Sequence, residues 1–215
     1  YGYNAATGDL ATIAYYDGTQ GVTYGPRDRL GRVTTVTDAV GQRTMGYDPT
    51  SLQLTSEQIP GIINRTITRT YSTSGSLLGR PKELNIGTEY ATAWYYDDDP
   101  EVGTGRLSRV TGPGLPGNPM EGGAVYAYLG ASNQVSATGY YDVNGILQGS
   151  SSRTLAANRD VVEEVENNWG SVSPLVSKYL YVSDALARRT SVVTMGSAYN
   201  PGRWTKWVYD ARNEL

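Results

Sequence analysis

Polar and apolar residues alternate along much of the chain. Arg65-Thr66-Ile67-Thr68-Arg69-Thr70-Tyr71 places Arg65, Ile67, Arg69 and Tyr71 on one face and Thr66, Thr68 and Thr70 on the other. Val161 to Val165 groups Val161, Glu163 and Val165 against Val162 and Glu164. Ala124 to Leu129 sets Tyr126 and Tyr128 apart from Val125, Ala127 and Leu129. Successive side chains of a strand point to opposite faces, so a period of two predicts two-faced strands. Thr, Val, Ile, Tyr and Trp also suit a pleated surface. Helix signals are weak: no segment repeats apolar residues at helical spacing over three turns between caps.

Turn signals are dense. Asp17-Gly18, Pro60-Gly61, Asn118-Pro119, Asn144-Gly145 and Pro201-Gly202 punctuate the strands. Asn-Gly between apolar runs marks a hairpin, because both turn residues need positive φ. Many short strands with such turns predict an all-β protein built of successive antiparallel hairpins.

The chain also repeats itself. A Tyr-Asp pair recurs at Tyr16-Asp17, Tyr47-Asp48, Tyr96-Asp97, Tyr141-Asp142 and Tyr209-Asp210, preceded in three cases by Tyr15, Tyr95 or Tyr140. A Gly-Arg pair recurs at Gly31-Arg32, Gly79-Arg80, Gly105-Arg106 and Gly202-Arg203, with Ala187-Arg188 as a degenerate copy. The fullest unit runs from Leu30 through Asp38 and Gly41 to Tyr47-Asp48, and Asp184 to Val192 echoes it. A strand ends in Tyr-Asp, and the Asp opens a turn by accepting backbone N–H groups two residues on. Gly supplies a positive φ. Arg starts the return strand, where its fork reaches carboxylates or carbonyls of the neighbouring hairpin. One such hairpin is not stable alone, but hairpins stacked side by side build a sheet.

Composition narrows the chemistry. The 215 residues contain no Cys and no His. That excludes disulfides, thiolate metal sites, a cysteine nucleophile, an imidazole base and a Ser-His-Asp triad. The formal net charge of −3 argues against a nucleic-acid surface. Fifteen Arg against three Lys suits fixed, bidentate partners more than mobile surface charge. No apolar run approaches the roughly 18 residues of a membrane span. There are 18 Tyr and no Phe, and more than half of the tyrosines sit in or beside Tyr-Asp and Tyr-x-Tyr units.

The Tyr-Asp and Gly-Arg constellation resembles the YD-repeat, or Rhs-repeat, proteins. Leu30 to Asp48 matches their unit closely. Asp184 to Val192 and Tyr209 to Leu215 match more loosely, and Tyr95 to Val110 matches with Asp98, Asp99 and Pro100 inserted. Gly112 to Gly123 and Ser150 to Val176 depart from the unit. The resemblance implies a long β-sheet spiralling into a hollow shell. In bacterial polymorphic toxins and insecticidal toxin complexes that shell encloses a toxic C-terminal domain, and related repeats occur in teneurin-type surface proteins. The family's self-cleaving Asp-Pro-x-Gly motif has no match, since Asp48-Pro49-Thr50-Ser51 and Asp99-Pro100-Glu101-Val102 both lack the Gly. The repeat-motif residues carried over are Tyr16, Asp17, Gly31, Arg32, Asp38, Tyr47, Asp48, Tyr96, Asp97, Gly105, Arg106, Tyr141, Asp142, Arg188, Tyr209 and Asp210.

Sharper chemical readings compete with plain ones. Asp97-Asp98-Asp99 with Glu101 could hold calcium, but the spacing of a calcium loop is missing and an elongated turn is the simpler account. Glu164 and Glu166 share a strand face, as a glycosidase pair could use, but a same-strand pair reads more simply as a solvated edge. Trp94, Trp204 and Trp207 could stack on glycans, or fill the sheet packing as cross-strand pairs. The expectation is a single YD-repeat segment spanning 1–215, a piece of a larger secreted or surface bacterial protein. Its partners are the rest of the repeat shell and an enclosed polypeptide cargo. It has no enzymatic role, cofactor, metal, nucleic-acid partner or membrane span. The alternative is a repeat-built adhesin or carbohydrate-binding module using the three tryptophans, with glycans as partner.

Overall fold

The computed structural model describes residues 1–61, 64–97, 104–112, 122–130, 132–157, 159–170, 174–210 and 212. It is all-β, as the alternation predicts. A 3-10 turn at Gly75–Leu77 is the one helical element among the described residues. The chain forms two compact units, Tyr1–Trp94 and Tyr95–Leu215.

The first unit is a meander of β1 (Gly2–Tyr3), β2 (Leu10–Ile13), β3 (Val22–Tyr24), β4 (Thr35–Asp38), β5 (Gly41–Tyr47), β6 (Leu54–Ile59), β7 (Arg65–Tyr71), β8 (Pro81–Ile86) and β9 (Tyr90–Tyr96). Each strand pairs antiparallel with the next. The last two residues of β9 belong to the second unit. That unit continues through β10 (Leu107–Thr111), β11 (Gly123–Tyr128), β12 (Val135–Tyr141), β13 (Leu147–Leu155), β14 (Val162–Trp169), β15 (Leu175–Ser183), β16 (Arg189–Met195) and β17 (Arg203–Lys206). Again each strand pairs antiparallel with its successor.

Directly opposed residues share a face, so the register assigns the two faces of the first unit. One is a field of small polar side chains. Thr12, Thr23, Thr37 and Gln42 stand in line across four strands, and Thr35, Thr44, Gln58 and Thr66 form a parallel line. The other face carries Ile13, Val22, Tyr24, Val36, Met45, Ile67 and Ile86. Ion pairs run through this apolar face: Arg43 meets Asp38 at 2.6 Å and Glu57 at 3.9 Å, and Arg69 meets Glu57 at 3.3 Å. Along β5 and β7 the Thr-bearing face is the more exposed of the two.

Neither face is sealed into a core. Among the described residues, Val192 is the only buried apolar side chain, at 8 % exposure. The sheet is therefore held by its hydrogen-bond ladder, by cross-strand pairs and by contacts between hairpins, not by a dry interior. The alternation also determines which substitutions cost stability. Ile67→Ala removes half-buried area from the apolar face and should lower the urea-unfolding free energy by about 1–2 kcal/mol. Thr68→Ala on the exposed face should stay within about 0.5 kcal/mol. Equal costs for the two changes would contradict this assignment of faces.

Candidate functional site

The repeated feature of the structure is a clasp of Asp, Arg and Tyr at the turn end of successive hairpins. It begins with the turn before Arg32. Asp28 Oδ1 accepts the N–H groups of Leu30 and Arg32, each at 2.9 Å. Asp28 Oδ2 receives two guanidinium nitrogens of Arg32, at 2.7 Å and 2.6 Å. Gly31 takes a φ of +78°, which a side chain would resist. The turn before Arg188 repeats this arrangement. Asp184 Oδ1 accepts the N–H of Leu186 at 2.9 Å and of Arg188 at 3.0 Å, and Oδ2 receives the guanidinium at 2.7 Å and 2.6 Å. Here Ala187 occupies the glycine position and bears its φ, +64°.

The other turns are variants. Asp142 binds the N–H groups of Asn144 and Ile146, both at 2.9 Å, and Gln148 donates to Oδ2 at 2.9 Å where Arg would stand. Asp97 lies 3.9 Å from Arg106, and Thr104 Oγ1 donates to its Oδ2 at 3.1 Å. The proposed calcium cluster of Asp98, Asp99 and Glu101 lies outside the described residues, as does the Asn118-Pro119 turn. Among the described residues no group of three or more His, Cys, Asp or Glu could hold a metal.

Each Arg then reaches the next hairpin. Arg32 lies 4.2 Å from the centre of the Tyr47 ring, Arg106 4.6 Å from Tyr128 and Arg188 4.7 Å from Tyr209. These are cation–π distances. The phenol closes the link by donating back to the strand that follows the Arg. Tyr47 donates to the carbonyl of Val33 at 3.0 Å, Tyr128 to Leu107 at 2.6 Å and Tyr209 to Arg189 at 2.9 Å. Tyr71 donates to Leu54 at 2.9 Å, with Gln53 in the Arg position giving its Nε2 to the carbonyl of Gly79 at 2.7 Å. Arg32 likewise donates to the carbonyl of Leu52 at 2.6 Å. A register shift falls immediately before Tyr47, Tyr71, Tyr128 and Tyr141. Such a bulge re-aims a side chain at the end of a strand. Here it sits where the ring turns toward the preceding hairpin.

The remaining sequence-derived residues divide clearly. Asp17, Asp48, Asp142 and Asp210 each accept the N–H two residues on. The Tyr16 ring is fully exposed and clasps nothing, whereas Tyr96 and Tyr141 are half-buried. The Tyr141 ring fills the space where a Cβ on residue 139 would stand, which accounts for Gly139. Asp38 serves a two-residue hairpin opposite Gly41 and pairs with Arg43, so it belongs to the ion-paired face and not to the clasp. Trp94 lies in the first unit, and Trp204 and Trp207 lie in the second. Trp204 is 64 % exposed on β17, while Trp207 is half-buried beyond that strand's end. Glu164 and Glu166 are not a solvated edge, because β14 pairs on both sides. They clamp Lys178 at 2.8 Å and 3.0 Å. The sequence reading did not single out Asp28. Its signal was present: Asp stands four residues before Arg both at Asp28-Arg32 and at Asp184-Arg188.

A cavity of about 690 Å³ opens beside Tyr71, with Asp48, Gln53, Arg69 and Leu78 in its lining. Its one carboxylate, Asp48, is held by the N–H groups of Thr50 and Ser51 at 2.9 Å and 2.6 Å. That carboxylate is committed to its turn.

Four of the turn carboxylates, Asp28, Asp48, Asp142 and Asp184, are held toward the ionised form. Asp28 and Asp184 are pushed below the ordinary Asp range first by the Arg guanidinium bonded to each. Asp48 and Asp142 are pushed down first by backbone N–H groups. A carboxyl with a lowered folded pKa gives stability that is complete above its unfolded pKa and is lost as pH falls through the folded value. With no His in the chain, nothing else of this kind titrates near neutrality. The melting temperature should be flat from about pH 7 to pH 5 and fall below about pH 4. A transition near pH 6 would contradict this. Two substitutions probe the clasp itself. Ala187→Gly should raise stability by about 0.5–1 kcal/mol, since relief of the left-handed strain exceeds the added chain entropy. Tyr47→Phe should lower it by about 1 kcal/mol by leaving the Val33 carbonyl without its donor. Equilibrium urea unfolding reads both.

Comparison with known proteins bears on the fold. No protein-family model matches the chain, and no curated protein does. Among solved structures it is similar to the crystal structure of TcdB2-TccC3, with a TM-score of 0.53 and 18% identity over 87% of this chain. A second structure, TcdB2-TccC3-TEV, aligns at a TM-score of 0.31 and 14% identity over 88% of this chain. A porin-like protein from Bacteroides uniformis aligns at 0.33 and 11% identity over 90% of this chain and 91% of its own. This chain spans 10% of the matched TcdB2-TccC3 chain. The likeness at 0.53 is one of fold: an all-β, hairpin-built sheet resembling part of a much longer chain.

Proposed function

We propose that the chain is a YD-repeat segment of an Rhs-type protein, forming part of a β-shell wall around a polypeptide cargo and carrying out no chemistry of its own. The observation that carries this reading is the Asp–Arg–Tyr clasp. It recurs at Arg32–Tyr47, Arg106–Tyr128 and Arg188–Tyr209, and each time it ties one hairpin to the next. A module that propagates by joining its copies side by side is suited to making a wall of any required length. The fold likeness to TcdB2-TccC3 supports the same reading. So does the scarcity of buried apolar side chains, because a wall of one layer is wetted on both faces. In this reading the parent protein is bacterial and secreted or displayed at the surface. No helix of the described residues is long and apolar enough to cross a membrane.

Limited proteolysis of the full-length parent tests the proposal. The cargo polypeptide should resist protease in the intact protein and be cleaved readily when expressed without the repeats. Replacing Arg32 and Arg188 together by Ala should expose the cargo at a lower protease concentration. Equal sensitivity of the cargo with and without the repeats would overturn the shell reading.

A further inference from the structure

Two tyrosines of the second unit meet outside the clasp. The phenol oxygens of Tyr179 on β15 and Tyr199 in the β16–β17 connection lie 2.6 Å apart, at hydrogen-bond distance. Their ring centres are 5.7 Å apart, and the ring planes stand at 78° to each other. Two phenols joined end to end through such a bond would hold their centres much farther apart. These rings therefore fold toward each other about the bond, which brings the carbons ortho to the two hydroxyls side by side. The backbone sets this up. Ser197 and Ala198 donate to the carbonyls of Leu175 and Val176 at 3.1 Å and 2.9 Å, laying the connection against the strand that carries Tyr179. Gly196 permits the approach: its φ is +109°, and a Cβ there would stand 2.6 Å from the Val176 carbonyl oxygen. Tyr181 shares a face with Tyr179 but is placed differently. Its ring lies parallel to that of Tyr179, at 5° and 6.2 Å, and Arg189 sits 4.0 Å from its centre. Parallel rings present faces to each other, not ortho edges.

With no Cys in the chain, no disulfide can staple one strand to another, and a pair of phenols is the oxidisable pair able to do so. We infer that Tyr179 and Tyr199 are a site of oxidative cross-linking, joined as dityrosine by a peroxide acting through one-electron steps. Each phenol gives up one electron and its proton. The two radicals join through their ortho carbons, and the hydrogen on each of those carbons moves to the phenol oxygen, restoring both hydroxyls. One C–C bond forms, two hydrogens leave the chain, and the peroxide is reduced to two molecules of water. The bond ties β15 to the β16–β17 connection, between partners 20 residues apart. A covalent link of this kind constrains the unfolded chain, as a disulfide does. That suits a sheet with so few buried apolar side chains. The site does not depend on the shell reading, since it uses neither the clasp nor a cargo.

Treatment of the 215-residue chain with hydrogen peroxide and a haem peroxidase tests it, at a protein concentration low enough to suppress coupling between molecules. The monomer should gain dityrosine fluorescence and lose the mass of two hydrogens. Peptide mapping should join the tryptic segment Tyr179–Arg188 to Thr190–Arg203, with the link on Tyr179 and Tyr199. Tyr179→Phe and Tyr199→Phe should each abolish this product. Tyr181→Phe should leave it, as should Tyr16→Phe, which removes a fully exposed phenol. The cross-linked monomer should unfold at a higher urea concentration than the Tyr199→Phe chain treated in the same way. Far-ultraviolet circular dichroism confirms that each variant keeps its sheet. The inference is overturned by absence of dityrosine from the treated monomer, by a link that maps to other tyrosines, by a folded Tyr199→Phe variant that gives the same product, or by equal urea midpoints.

Discussion

A sheet with neither face sealed into a core has nowhere to hide apolar surface, and that constraint governs the rest of the structure. With Val192 as the only buried apolar side chain among the described residues, hydrophobic burial alone cannot hold the hairpins in register. Cohesion must come from directional contacts instead, and these concentrate at the turns. There a carboxylate orients a guanidinium, the guanidinium lies against a phenol ring, and the phenol returns a hydrogen bond to the strand where the link began. Each part depends on the others. Without Asp28 the Arg32 fork would lose two of its contacts, and without Arg32 the Tyr47 ring would lose its cover.

The clasp explains the odd composition. Phe would supply the ring but not the hydroxyl that reaches the carbonyl of Val33, Leu54, Leu107 or Arg189. Lys would supply charge but not the planar fork that binds Asp28 twice and still reaches the Leu52 carbonyl. The variants show how far the device tolerates change. Gln53 and Gln148 replace a guanidinium with an amide, keeping the hydrogen bond and dropping the charge. Ala187 keeps the left-handed turn at a cost in strain, because the two-point hold of Asp184 on Arg188 fixes the backbone around it.

Between the turns, the faces follow a different rule. In the first unit the Thr-rich lines hydrate readily, while the apolar face dilutes its hydrocarbon with the Asp38–Arg43–Glu57–Arg69 ion pairs. In the second unit Glu164 and Glu166 do the same with Lys178. Interleaved charges let a half-buried face stay wet without becoming a surface for aggregation.

Much of this was legible from the sequence. The period of two dictated strands, because a pleated strand turns successive side chains to opposite faces. The Asp and Gly positions dictated turns, because a short carboxylate satisfies local N–H groups and only a few residues bear positive φ. The recurrence of Tyr-Asp and Gly-Arg announced a repeated unit. What the sequence left open was which residues meet. Tyr16-Asp17 reads like Tyr47-Asp48, yet the Tyr16 ring stands in solvent. Glu164 and Glu166 read as a free edge until β15 brought Lys178 across from them. Tyr179 and Tyr199 are 20 residues apart along the chain, and only the fold of the β16–β17 connection onto β15 brings their hydroxyls together. The difference is physical: strand and turn preferences act within a few residues, whereas partners are chosen by register. The bulges that set the register before Tyr47, Tyr71 and Tyr128 arise only when neighbouring strands pair.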